Sequence, residues 1–321
     1  MKFDANLVEN IKFLPEYSVC IVGAGAAGIT LATQLGNRGY KVALMEGGGT
    51  EFSENSQDCY KGKVTGDPYF DLDITRLRYL GGSTNHWQGW CRSFEKVDFE
   101  RDYLGEHYSW PIEYKDILKY LDEACRILEV NNKFDAKIID KSSDIKKIVF
   151  QFSPYNQDGG LPVQFGIKYK ELIENSENVD LFLNSNLIDI DGNSSKIKSA
   201  TFSNYNNKSF NVEAKNYIFA MGGLENPRYL LWFAKKYGNK FFDKSSPIGK
   251  YWMEHPHFNL GEAILTTDFA SHKFWSISDE AQKKNLILGC GLRLNLYPHT
   301  ELKKKNNKTT VCCTKIRKKS C

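Results

Sequence analysis

Residues 18–46 constrain the fold more than any other stretch of the sequence. An apolar run at 18–22 (Ser-Val-Cys-Ile-Val) stops at Gly23, as a buried strand does before a turn. Ala27, Leu31 and Leu35 then recur at four-residue spacing, and the pattern ends near Gly36 and Gly39. A second apolar run, 41–46, closes with Glu46. Strand, helix and strand in so short a span predict the βαβ unit of a parallel sheet.

The turn between the first strand and the helix reads Gly23-Ala24-Gly25-Ala26-Ala27-Gly28, the spacing GxGxxG. In that context it is a dinucleotide-binding motif. Gly23 allows the tight turn, Gly25 lets the backbone approach a pyrophosphate, and Gly28 lets helix and strand pack closely. The helix start, with Ala26 and Ala27, offers free N–H groups and the positive end of the dipole to the diphosphate. Glu46 stands 18 residues beyond Gly28, placed to accept from a ribose hydroxyl and to repel a 2′-phosphate. The motif alone leaves NAD and FAD open, as well as a glycine-rich turn with no ligand.

At 321 residues and 41% hydrophobic, the chain is long enough for two domains. Its apolar runs fall short of the roughly 18 residues a membrane span needs. The N-terminal residues lack the pattern of a signal peptide, so a cytoplasmic location is expected. The net charge of +4 is concentrated at one end: residues 303–321 hold seven Lys, one Arg and no acid. Setting those eight aside leaves 35 basic against 39 acidic residues, which removes the case for a nucleic-acid partner. The eight cysteines show no metal spacing; reduced thiols and no metal site are expected.

Residues 50–75 read as a polar surface excursion, and 113–130 as an amphipathic helix with Ile117, Leu121, Ala124 and Leu128 on one face. Aromatics alternating with polar residues around 150–170 (Phe150, Phe152, Tyr155, Phe165, Tyr169) suggest strands of a second region. Further strands are predicted at 178–190 and 216–221, followed by a helix opening at Gly222-Gly223 and running through Leu231.

Residues 76–92 (Arg-Leu-Arg-Tyr-Leu-Gly-Gly-Ser-Thr-Asn-His-Trp-Gln-Gly-Trp-Cys-Arg) decide between the cofactors. Here the chain resembles the glucose–methanol–choline (GMC) flavoprotein oxidoreductases, which follow the N-terminal GxGxxG with a Leu-Gly-Gly-Ser loop against the flavin. Arg78, Leu80, Gly81, Gly82, Ser83 and Thr84 match it. The resemblance implies FAD, with Gly81-Gly82 close to the flat ring and Ser83, Thr84 and Asn85 supplying polar contacts. His86 has the spacing from the glycine pair at which some members carry a covalent flavin link, and His86-Trp87 repeats a dipeptide of the pyranose oxidase branch. A covalent link through His86 and a histidine hydrogen-bonded beside a non-covalent flavin both stay open. Residues 217–228 resemble the family's return strand and turn, which implies Ala220, Gly222 and Asn226 near the cofactor and Leu187 passing the adenine with its backbone. Residues 248–257 resemble the segment that follows, with Lys250 in place of the common Arg. His255 and His257 there are read as structural.

The likeness runs from about residue 17 to 260. It implies an α/β fold: a Rossmann-like FAD-binding domain with a parallel sheet, and a substrate domain with a mostly antiparallel one. The expected boundaries are 1–150 and 178–257 for the FAD domain, with 151–177 and 258–302 for the substrate domain. The implied reaction is hydride transfer from the CH–OH carbon of an alcohol or sugar to the flavin N5; the electron acceptor is left open. In the family the histidine base comes from a segment beyond position 321, so no catalytic residue is assigned. Residues 303–308 imply an A-rich coding stretch, and the basic low-complexity tail from 303 onward is read either as out of frame, the favoured reading, or as a natural disordered tail. The alternative reading is a truncated, non-catalytic flavin-binding remnant.

Overall fold

A computed structural model describes residues 1–7, 16–135, 137–138, 144–153, 162–243, 245–255, 257–265, 274–297 and 309–315. The chain forms two compact units: Met1–Trp87 with Val163–Trp252, and Gln88–Pro162 with Met253–Cys321. The division falls after Trp87, inside the stretch that resembles the flavin loop, whereas the sequence reading put it near residue 150.

The first unit is built on a seven-stranded sheet in the order Lys2–Asp4, Val179–Leu183, Val42–Met45, Tyr17–Val22, Ser209–Phe219, Ile197–Ser203, Asn186–Gly192. The first five strands are mutually parallel. The last three form an antiparallel meander. Ser209–Phe219 serves both halves. Its start pairs antiparallel with Ser199–Ser203, and its end, Ala214–Phe219, runs parallel to Tyr17–Val22. The burial patterns follow. Val42–Met45 is buried throughout, as a strand covered on both faces must be. In Ser209–Phe219, Phe210, Val212 and Ala214 alternate with exposed residues. The Ala26–Asn37 helix buries Gly28, Ile29, Ala32, Thr33 and Gly36. A Cβ at Gly36 would meet Val179 Cγ2 at 2.6 Å, so helix and sheet approach more closely than a larger residue allows. Tyr17, Phe182, Phe202 and Phe233 fill the core.

The second unit holds a six-stranded sheet in the order Phe258–Leu265, Thr309–Lys315, Gly291–Tyr297, Phe274–Ile277, Ile145–Lys147, Lys137–Ile138, with antiparallel pairing throughout. A small ribbon pairs Trp90–Cys91 with Gln151–Phe152. Lys146 is buried here, with Nζ 2.8 Å from Glu95 and 2.6 Å from Asp279.

Two expectations are corrected. Residues 113–130 form two helices, Tyr114–Leu118 and Leu121–Leu128, rather than one. The first starts at a capping box between Glu113 and Asp116. Phe165 opens the short helix Phe165–Lys168, and Tyr169 joins it to the helix Lys170–Glu174; neither lies in a strand. Phe165, Tyr169 and Ile173 recur every fourth residue, and Phe165 and Ile173 are buried. Tyr155 lies outside the described residues. The tail expected from residue 303 is interrupted by the strand Thr309–Lys315, which pairs on both sides; residues 303–308 and 316–321 lie outside the described residues.

Candidate dinucleotide site

At the carboxyl end of Tyr17–Val22 the three motif glycines take different tasks. Gly23 has φ +103°, donates its N–H to the Met45 carbonyl at 2.7 Å, and lies so close to Ala220 that a Cβ would be 2.6 Å from that carbonyl oxygen. At Gly28 a Cβ would be 1.8 Å from the Gly23 oxygen. Packing therefore requires both. Gly25 has nothing within 4 Å of an added Cβ, so its bare face is turned to open space. Gly25 is the N-cap of the Ala26–Asn37 helix, and no side chain caps its N–H groups. Ala26 and Ala27 are exposed beside it.

Glu46 is buried and ties the turn together. Its Oε2 accepts from the Ala24 N–H at 3.0 Å and its Oε1 from the Gly48 N–H at 2.9 Å. Each carboxylate oxygen keeps further acceptor capacity, so the expected ribose contact and this structural task are compatible.

The Leu-Gly-Gly loop is locked onto the motif. Gly81, with φ +97°, donates its N–H to the Ala24 carbonyl at 2.8 Å. A Cβ on Gly82 would be 3.2 Å from the Gly25 Cα. Leu80 is buried and its N–H reaches the Gly49 carbonyl at 3.0 Å. The polar residues after the glycines hold the loop itself. Ser83 Oγ accepts from the Leu77 N–H at 3.4 Å. Thr84 Oγ1 donates to the Gly81 carbonyl at 2.7 Å and accepts from the Phe165 N–H at 3.1 Å. Asn85 Nδ2 donates to the Leu80 carbonyl at 3.0 Å. His86 follows the short turn Gly82–Asn85 and keeps an exposed edge; partial desolvation of the ring pushes its pKa down. Trp87 Nε1 donates to the Val163 carbonyl at 2.9 Å.

The return segment arrives at the same place. Ala220 donates its N–H to the Val22 carbonyl at 2.8 Å. Gly222, with φ +86° and open space beside it, starts the helix Gly222–Tyr237, longer than the sequence reading to Leu231. Asn226 braces that start: Oδ1 accepts from the Met221 N–H and Nδ2 donates to the Phe219 carbonyl, both at 3.0 Å. Leu187 has its side chain in the core.

Side chains from both motif stretches, and some from outside them, pair around the turn. Arg78 is directed at Tyr205, Asn186 and Ser56. Arg76 Nη1 donates to Glu225 at 2.8 Å, and Arg228 Nε to the same carboxylate at 2.9 Å. Burial alone would raise the buried Glu225, but the two guanidinium groups more than offset it and hold its carboxyl below the usual range. Of these residues Arg78 was singled out in the sequence; Tyr205, Ser56, Asn186 and Glu225 were not.

No family model matches the sequence, and no curated protein sequence matches it significantly. Solved structures do match. A formate oxidase variant from Aspergillus oryzae RIB40, studied for FAD modification, has a TM-score of 0.54 at 14% identity, covering 95% of this chain and 73% of its own. An FAD-dependent oxidoreductase from Chaetomium thermophilum has a TM-score of 0.54 at 15% identity, covering 79% and 55%. The fold is that of the GMC oxidoreductases. The chain spans 73% of the length of that formate oxidase and 47% of that of a fungal aryl-alcohol oxidase that is also similar, at 14% identity, TM-score 0.43 and 67% coverage of this chain.

Within this GMC fold the pair His255 and His257 lies in the second unit. Nδ1 of His255 is 3.0 Å from Nε2 of His257, and the rings meet edge to face. Among the described residues no group of three or more His, Cys, Asp and Glu side chains could hold a metal ion, and no helix is long and apolar enough to cross a membrane.

Proposed function

We propose that the chain binds FAD and belongs to an oxidoreductase acting on the CH–OH group of a sugar or other alcohol, with a GMC-type division of labour. The observation that carries this reading is the layering of Gly82 on Gly25, fixed by the Gly81–Ala24 hydrogen bond. A mononucleotide turn needs only the first glycine loop. A second one beside it, with the open faces of Gly25 and Gly222, makes a cradle without side chains, which suits a diphosphate continuing into a flat ring.

The residues present fit the cofactor by chemistry as well as shape. The uncapped start of the Ala26–Asn37 helix offers N–H groups and positive potential to a diphosphate. Glu46 offers acceptor capacity to a ribose hydroxyl. Bound FAD would supply the hydride acceptor. The chain's own part is to orient it: Thr84 and Asn85 stiffen the loop, and His86 and Trp87 follow directly after it.

The test is the visible spectrum of the purified chain, followed by an alcohol and sugar panel with a dye acceptor. A two-band flavin spectrum with dye reduction supports the reading. Bound flavin without turnover favours the non-catalytic alternative, and preference for NAD over FAD ends the proposal.

A further inference from the structure

We propose that Arg78 and Tyr205 are positioning residues of the dinucleotide site, holding the Gly47–Gly49 turn so that the Glu46 carboxylate meets the unphosphorylated ribose of an adenosine diphosphate moiety. The proposal rests on the dinucleotide reading above and adds to it two residues whose task is indirect.

The Arg78 guanidinium lies flat against Gly47: a Cβ there would meet three guanidinium atoms at 2.3–2.6 Å. The Arg78 carbonyl covers the next residue, where a Cβ on Gly48 would be 2.1 Å from its oxygen. One arginine thus presses on two consecutive glycines, through side chain and backbone. Its own geometry is closed by neutral acceptors. Nη1 donates to Tyr205 Oη at 2.7 Å and to Ser56 Oγ at 3.2 Å, and Nη2 donates to Asn186 Oδ1 at 2.8 Å. Ser56 Oγ in turn donates to the Arg78 carbonyl at 2.7 Å, and Asn186 Nδ2 to the Ser203 carbonyl at 3.0 Å.

Tyr205 is the link between this cluster and the turn. While accepting from Arg78 it donates to the Gly47 carbonyl at 2.7 Å. The following N–H, that of Gly48, is one of the two donors that orient Glu46. Loosening the turn therefore releases one carboxylate oxygen and leaves the other on Ala24. The guanidinium also attracts the Glu46 carboxylate through space, which tempers the repulsion that Glu46 presents to a diphosphate.

The test uses the full chain freed of cofactor, titrated calorimetrically with ADP, FMN and FAD, for the unaltered protein and for Tyr205→Phe, Arg78→Met and Arg78→Lys. Loss of one well-made hydrogen-bond contribution is worth about 1.4 kcal/mol or roughly tenfold in Kd. ADP and FAD affinity should fall about that much in Tyr205→Phe and at least as much in Arg78→Met, with FMN binding unchanged. A merely structural role would weaken FMN equally, and that result overturns the proposal, as does unchanged ADP affinity in Tyr205→Phe or an unaltered chain that does not bind ADP. Tyr205-dependent ADP binding without any flavin binding would uphold the positioning role while removing FAD from the reading.

Discussion

The Gly81 N–H donates to the Ala24 carbonyl at 2.8 Å, backbone to backbone. Two glycine-rich loops, one from the βαβ turn and one from the Leu-Gly-Gly stretch, are thereby held so close that a Cβ on Gly82 would be 3.2 Å from the Gly25 Cα. The contact is made by backbone atoms and uses no side chain.

Substitutions at Gly25 and Gly28 should therefore separate binding from folding. Gly28→Ala forces a Cβ to within 1.8 Å of the Gly23 carbonyl oxygen, a backbone atom that cannot yield cheaply, and should cost about 3 kcal/mol or more. Gly25→Ala meets nothing within 4 Å, and its φ of −87° suits any residue. Its melting temperature should stay near that of the unaltered chain while FAD affinity falls more than about tenfold. Normal FAD affinity in Gly25→Ala would place the diphosphate elsewhere.

Glu225 should make the first unit acid-sensitive. Its folded pKa is depressed, so its contribution is complete above the ordinary value of about 4.3 and is lost as pH falls through the lower folded value. Glu225→Gln should flatten the fall in melting temperature below about pH 4.3 and cost about 1–3 kcal/mol at neutral pH, since Arg76 and Arg228 then lack their counter-charge. An unchanged acid profile would show that another carboxylate governs it.

His86 is pushed towards the neutral form by burial. Below the ordinary value of about 6.5 the unfolded chain takes up the proton more readily than the folded one, so His86 lowers stability as pH drops. Replacing it with Gln should remove that component from a melting-temperature profile between pH 5 and 7 (about the range of histidine titration). A neutral ring is expected to hydrogen-bond the flavin, so acid precipitation should release the colour into the supernatant. Colour that stays in the pellet, and is lost in His86→Gln, would instead identify His86 as the point of attachment.

In the second unit, burial disfavours the charge on Lys146, but hydrogen bonds to Asp279 and Glu95 outweigh it and raise the pKa. This raised pKa leaves its contribution intact below about pH 10.4 and lost only above the folded value. Lys146→Met should destabilise the unit by about 2–4 kcal/mol at neutral pH, because two carboxylates lose their shared cation. Denaturant unfolding measures it, and a loss within about 0.5 kcal/mol, typical of a surface site, would contradict the pairing of a buried Lys146 with both carboxylates.

The glycine turn, the strands around it and the helix after it were legible in the sequence because each depends on near neighbours. Gly23, Gly81 and Gly222 all adopt positive φ, and the apolar periods of Tyr17–Val22 and Ala26–Asn37 follow from how each element is covered. The reading failed where period alone was asked to choose between states. The aromatics Phe165 and Tyr169 look alternating beside Phe150 and Phe152, yet with Ile173 they share a helical spacing. Tyr205 could not be found at all: its partner Arg78 is 127 positions away, as Glu225 is 149 from Arg76.

Backbone demands at residues 18–46 and 76–86 are local, so the amino-acid order alone was enough to place the GxGxxG turn and a second glycine loop. Which polar groups face a ligand is a competition among all the partners that folding brings within reach. Ser83, Thr84, Asn85 and Asn226 look available in the sequence; in the folded chain each is bound to the backbone of its own loop or turn. A buried donor or acceptor left unpaired costs more than a surface one, so tertiary structure gave these side chains scaffold partners besides any ligand and left the bare faces of Gly25 and Gly222 open.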